Sequence, residues 1–331
     1  MKLIVQVLKY GLAFLAVLIG IGSGYQWFAA SQDSKKYPPP GELYTVNGLQ
    51  VHLDCRGQGR PAIIMEAGLT FGSTSWGIVH DALAKQTQVC AYDRPGIDWS
   101  EQTDQPLSAQ AVADRLHALL VQAGIEGPKV LLGMSAGGVF VREYFAKYPD
   151  HIAGMVLVDS SHEQQGSRLP ALGSTSELSS TLALCSWVQP LGLIRALGFM
   201  EDMLARYELQ PARQQLLRAN MNQNHTCAAM LRESEGFNRE IFDPQPPRSL
   251  GNLPLLVLSQ GKEPEADNEF GLPLEEAREL AVIWDGLQTE LTQLSSVGQR
   301  HIALQSGHVI QFEQPQIIIE KVSEMLITLR L

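Results

Sequence analysis

The sequence holds no HExxH, no paired CxxC, no P-loop and no GxGxxG, so neither a metal nor a nucleotide cofactor is expected. Basic residues are in deficit: 25 Lys and Arg stand against 35 Asp and Glu, a net charge of −10. Nucleic-acid binding needs a basic surface, so that class is disfavoured. Charged residues make up only 18% of the chain and hydrophobic ones 45%, which excludes disorder and suits a packed core. The 331 residues accommodate one large domain with a small appendage.

One stretch lacks charge altogether. Lys2 and Lys9 flank a short apolar run, and Tyr10 to Ala30 then holds no charged residue. About 20 residues at 1.5 Å each span a bilayer core of roughly 30 Å, whereas signal-peptide apolar regions run to about 7–15 residues. We expect an uncleaved signal anchor over residues 1–30, with a cleaved signal ending near Ala29-Ala30-Ser31 as the alternative. Lys2 and Lys9 favour an inside N-terminus, against the weaker pull of Lys35 and Lys36. The rest of the chain then faces the periplasm or the exterior. Residues 31–41, with Pro38-Pro39-Pro40-Gly41, read as a stiff linker, and residues 42–331 as the globular domain.

Within that domain, Gly133-Met134-Ser135-Ala136-Gly137-Gly138 follows the apolar run Lys129–Leu132 and precedes a helix-like run, Val139–Ala146. A strand, a serine flanked by glycines and a helix form the context of a nucleophile elbow. Side chains at Gly133 and Gly137 would crowd the neighbouring strand and helix. The turn exposes Oγ and aims helical N–H groups at a reacting oxygen. His308 is the expected base: it ends the run His301–Leu304 through Gln305-Ser306-Gly307, before Pro315 and a last helix over Gln316–Leu329. His162, also after a strand end, is its rival.

Two strand ends compete to supply the acid. Met155-Val156-Leu157-Val158 ends in Asp159. Leu255–Gly261 is followed by Lys262, Glu263, Pro264, Glu265 and Asp267, with proline three residues after the glycine. Asp159 is preferred, with Glu263, Glu265 and Asp267 as alternatives. Elsewhere strand-like and helix-like runs alternate, as in a mostly parallel sheet covered on both faces. Residues 162–251 interrupt this order with an apolar, helix-like stretch that reads as a lid over the serine.

These residues resemble the α/β-hydrolase superfamily from about Leu43 to the C-terminus. Ala62–Leu69 is similar to the family's third strand and oxyanion loop, with Ala67-Gly68 in place of His-Gly. Val89–Gly96 is similar to the fourth strand and its Asp-Arg-x-Gly turn, with Asp98 where a second glycine is usual. The resemblance implies an eight-stranded, mostly parallel sheet and the chain order Ser, acid, His. It also implies oxyanion donors at the Ala136 and Leu69 N–H groups. In the family's sheet order the strands bearing Cys55 and Cys90 are neighbours, so a disulfide is expected there. Cys185 and Cys227 share the segment between the sixth and seventh strands and form a second candidate pair, as an oxidising compartment allows.

The function expected is serine hydrolysis of a carboxylic ester, with a small-molecule substrate and no cofactor. Lactonase, aminopeptidase, C–C hydrolase and cofactor-free haloperoxidase chemistry use the same triad. A non-catalytic, membrane-tethered binding domain is the alternative of a different class. Dehalogenases and epoxide hydrolases of this fold use an aspartate nucleophile, which Ser135 disfavours.

Overall fold

The computed structural model describes residues 2–105, 107–169, 175–242, 248–265 and 272–329. Eight strands form one sheet: β1 (Glu42–Val46), β2 (Leu49–Arg56), β3 (Ala62–Glu66), β4 (Val89–Tyr92), β5 (Lys129–Met134), β6 (Ile152–Val158), β7 (Leu255–Gln260) and β8 (Gln299–Ala303). Their spatial order is β1-β2-β4-β3-β5-β6-β7-β8. The pairs β1–β2 and β2–β4 are antiparallel and the rest parallel. Asn47 and Gly48 both take positive φ, 51° and 81°, as the two-residue turn between β1 and β2 requires.

The central strands are near-continuous apolar runs because helices cover both of their faces. Alternate residues divide between two cores. Ile64, Leu131, Leu157 and Val257 pack on one side with α3 (Ala109–Gln122), α4 (Ala136–Lys147) and Leu291 of α11 (Leu274–Thr292). Ile63, Leu132, Val158 and Leu258 pack on the other with α2 (Gly77–Leu83) and α12 (Pro315–Leu329). Ser108 caps α3 by accepting from the Ala111 N–H at 3.1 Å. Val112, Leu116, Leu119 and Leu120 form the buried stripe of that helix.

Between β6 and β7 lies the helical insertion: α5 (Gln165–Arg168), α6 (Thr175–Val188), α7 (Leu193–Ala196), α8 (Phe199–Leu204), α9 (Pro211–Met221) and α10 (Thr226–Phe242). It has its own small core of Leu182, Met200, Leu204, Leu217, Met221 and Met230. The Cys185–Cys227 disulfide ties α6 to α10, and Cys55–Cys90 joins directly opposed residues of β2 and β4.

The first helix, α1 (Lys2–Lys36), runs six residues past the expected boundary at residue 30. Residues 31–36 therefore belong to the helix and not to the linker. Once nucleated, a helix extends at little cost through a polar segment, and Asp33 is held by Arg195 of α7 at 2.7 Å. The helix ends just before the prolines, which cannot continue it. Residues Leu3 to Ile21 stand free of the rest of the protein, whereas Gln26 and Ala30 are buried against the insertion.

Candidate active site

Ser135 sits between β5 and α4 with φ 53° and ψ −124°, a backbone that L-residues seldom adopt. Close packing holds it there. A Cβ on Gly133 would lie 2.5 Å from the Gly137 carbonyl oxygen, and one on Gly137 would lie 2.4 Å from the Glu66 oxygen. Only glycine lets β5, α4 and the end of β3 approach this closely. The Ser135 amide donates to Val158 O at 3.0 Å, and its carbonyl accepts from the Gly138 and Ser161 amides, each at 2.9 Å.

His308 lies after β8, with Nε2 3.0 Å from Ser135 Oγ and Nδ1 2.6 Å from Asp159 Oδ2. Asp159 ends β6 with φ 40° and is fully buried. Its Oδ1 accepts from the Gln260 amide at 2.9 Å and from Trp284 Nε1 at 3.0 Å. The Trp284 and His308 rings lie nearly perpendicular, with centroids 5.8 Å apart. The carboxylate thus presents one oxygen to the imidazole while two donors hold the other. This pattern places the imidazole proton on Nδ1 and leaves Nε2 to accept from the serine hydroxyl.

The other candidates lie apart from this chain of bonds. His162 is buried, with Nδ1 accepting from the Gln164 amide at 3.0 Å. Glu263 is exposed, Glu265 pairs with Lys262 at 3.1 Å, and Asp267 lies outside the described residues. Ala136 opens α4, so its amide has no acceptor within the helix. Leu69 is half-buried on the loop after β3. That loop lies against the elbow: a Cβ on Gly68 would come 3.2 Å from Ser135 Cβ.

A second buried network, which the sequence reading missed, shapes the same loop. The Arg94 guanidinium donates to the carbonyls of Ala67 (2.9 Å), Gly68 (2.7 Å) and Phe71 (3.1 Å). It also pairs with Glu66 at 2.5 Å and with Glu233 of α10 at 2.6 Å. Glu233 accepts from the Thr70 amide at 2.8 Å, and Tyr92 donates to Glu66. Burial pushes Glu66 up to about 7 despite the opposing Arg94 charge. The two carboxylates hold Arg94 protonated against its own burial cost. Arg94 was visible in its Asp-Arg-x-Gly turn, and Glu66 precedes Ala67-Gly68. Glu233, 139 residues from Arg94, and Trp284, 125 from Asp159, had no local signal.

Asp98 keeps the left-handed backbone, φ 43°, that glycine would favour. Its side chain accepts from the Thr74 hydroxyl at 2.6 Å and pins the chain that follows the loop after β3.

A family model described as alpha/beta hydrolase fold matches residues 61–181. The eight-stranded topology and the solved structures of the same fold agree with it. The chain has the α/β-hydrolase fold. It is 25% identical over 312 residues to an AB hydrolase superfamily protein of Gibberella zeae, covering 86% of this chain and 95% of that one. It spans about a third, 35%, of an uncharacterised Schizosaccharomyces pombe protein that it matches at 29% identity over 48% of its own length. Among solved structures it resembles an esterase of Thermogutta terrifontis, with a TM-score of 0.58, 21% identity and coverage of 87% and 98%. It also resembles a bacterial membrane phospholipase A, with a TM-score of 0.62, 18% identity and coverage of 100% and 99%.

Proposed function

We propose that this hydrolase cleaves carboxylic esters through Ser135, His308 and Asp159. The observation that carries the reading is the unbroken run of bonds from Asp159 Oδ2 through the His308 ring to Ser135 Oγ, at 2.6 and 3.0 Å. In this reading His308 Nε2 takes the hydroxyl proton as Oγ attacks the carbonyl carbon, and Asp159 steadies the imidazolium that forms. The carbonyl oxygen gains charge beside the start of α4, where the Ala136 and Leu69 N–H groups and the helix dipole stabilise it. His308 gives its proton to the departing alcohol. Water then attacks the acyl-enzyme by the same path in reverse and releases the acid.

The cellular setting is part of the proposal. α1 is long and apolar enough to cross a bilayer, with an 18-residue window that is wholly unburied. Two disulfides suit an oxidising compartment. The likeness to a membrane phospholipase over the whole chain agrees with an anchored hydrolase facing away from the cytoplasm.

A fluorophosphonate probe tests the chemistry. Labelling is expected on Ser135 alone, and both labelling and ester hydrolysis should vanish in Ser135→Ala. Full ester hydrolysis in that variant overturns the proposal.

A further inference from the structure

We infer that the insertion rests its outer face in the lipid bilayer that α1 enters, so that an acyl ester dissolved in that bilayer is presented directly to the protein. The inference depends on α1 being a membrane anchor. Contact between α1 and the insertion begins at Gly22. A Cβ there would lie 2.3 Å from the Leu191 carbonyl oxygen, and one on Gly192 would lie 2.9 Å from the Gly22 oxygen. Polar groups lock the two together further along. Gln26 donates to Asn222 O at 2.7 Å and accepts from Arg195 Nε at 3.0 Å, while Arg195 pairs with Asp33 at 2.7 Å. These groups satisfy one another, as they must next to hydrocarbon.

Helix length then fixes depth. If Lys9 stays at the inner headgroups, only Tyr10–Ile21 is free of the protein, about 18 Å of helix at 1.5 Å per residue. A bilayer core is about 30 Å thick. The missing turns must come from Gly22 onward, where the insertion is already packed against the helix. The alternative drags Lys9 well into hydrocarbon, which is costly. The exposed aromatics Tyr25, Trp27 and Phe28 fall at the outer boundary in the first arrangement, the depth that such rings favour.

The insertion has the surface this depth requires. Trp187 is 79% exposed and Leu197 76% exposed, and Leu184, Leu193 and Phe199 are also exposed. Leu184 and Trp187 share one face of α6 by their spacing. All five lie within eight residues of Leu191 or Gly192, the turn that touches α1. An apolar patch of this kind marks an interaction site, and its continuity with the membrane-crossing helix selects lipid as its partner.

Quenching by lipid tests the placement. Full-length protein is reconstituted into phosphatidylcholine vesicles with and without brominated acyl chains. The difference between Trp27→Phe and Trp27→Phe/Trp187→Phe isolates the emission of Trp187, and brominated lipid should remove at least half of it. Unquenched Trp187 in protein that floats with alkali-washed vesicles overturns the inference and leaves the anchor standing; protein that does not float overturns both. Hydrolysis of a short soluble ester reports separately on the Ser135 chemistry. In Trp187→Glu/Leu197→Glu, hydrolysis of a long-chain ester in vesicles should fall about tenfold with the short-ester rate unchanged. Equal loss on both substrates, or no loss on either, overturns the inference.

Discussion

Trp284 Nε1 donates to Asp159 Oδ1 at 3.0 Å, so a helix residue far along the chain holds the carboxylate that faces His308. The carboxylate is fully buried and its other donor is the Gln260 amide at 2.9 Å. Trp284→Phe keeps the ring packing but removes the N–H. Hydrogen bonds to charged groups contribute about 1.5–3 kcal/mol, and part of that should appear in the aim of the imidazole. Fluorophosphonate labelling and kcat are expected to fall about tenfold together, with KM for a short ester unchanged. A merely structural tryptophan would lower the melting temperature and leave the labelling rate of folded protein alone.

The identity of the acid has its own test. Asp159→Asn should lower kcat by about 10⁴, because an amide can donate where the imidazole must donate and so favours the wrong tautomer. Glu263→Ala removes an exposed side chain and should leave kcat unchanged. The reverse outcome in ester assays would move the acid to the loop after β7.

The contrast between these two carboxylates marks how far the sequence could be read. The strand, turn and helix around Ser135 were legible because the glycines answer to local sterics, and His308 drew notice as the expected base because it follows a strand and precedes a helix. The central strands were legible because buried parallel strands are apolar throughout, whereas the count of eight rested on the family resemblance. In the sequence the acid stays open between Asp159 and the carboxylates Glu263, Glu265 and Asp267, since both groups follow strand ends. In the fold the buried Asp159 lies 2.6 Å from His308 Nδ1, whereas Glu263 is exposed. The full extent of α1 was not legible for a related reason. The polar run to Lys36 remains helical because Arg195, far along the chain, pairs with Asp33.

Arg94 leads to a prediction about stability. It is fully buried between Glu66 and Glu233. Arg94→Met fills the space but strands two carboxylates and three loop carbonyls. Removing one partner from a buried ion pair costs about 3–5 kcal/mol, so chemical denaturation should show a loss of this size. Arg94→Met/Glu66→Gln/Glu233→Gln should recover part of it by removing the stranded charge. If the single variant loses less than about 1 kcal/mol, well below that range, the network does not hold the loop after β3.

Acidity should act through the cluster under that loop. Burial, and then neighbouring Asp93, push Asp98 up to about 7. His52 is raised overall: burial is the largest influence and lowers it, but the 2.6 Å bond to Asp93 and the charges of Asp93, Asp54 and Asp98 together outweigh it. A carboxyl raised in the folded state holds its proton where the unfolded chain has released it, so stability falls as pH climbs from the ordinary carboxylate range to about 7. A raised histidine gives the same sign, with its contribution lost as pH rises through its folded value. Melting temperature should therefore decline between about pH 5 and pH 7. Asp98→Asn keeps an acceptor for Thr74 and should flatten the part due to Asp98.

Cys55–Cys90 closes a loop with a sequence separation of 35 and Cys185–Cys227 one of 42. Loop-closure entropy assigns each about 3–4 kcal/mol of stability. The first bridge staples two strands of the sheet, whereas the second lies wholly within the insertion. Cys185→Ala/Cys227→Ala should therefore loosen the insertion, seen as faster hydrogen exchange in α6 and α10, while β2 and β4 keep their protection. Cys55→Ala/Cys90→Ala should instead lower the global melting temperature. Alkylation before and after reduction provides the control: the native protein should take up label at none of its four cysteines until it is reduced. Labelling at Cys185 without reductant would remove the second bridge from this account and leave α6 held to α10 by side-chain packing alone.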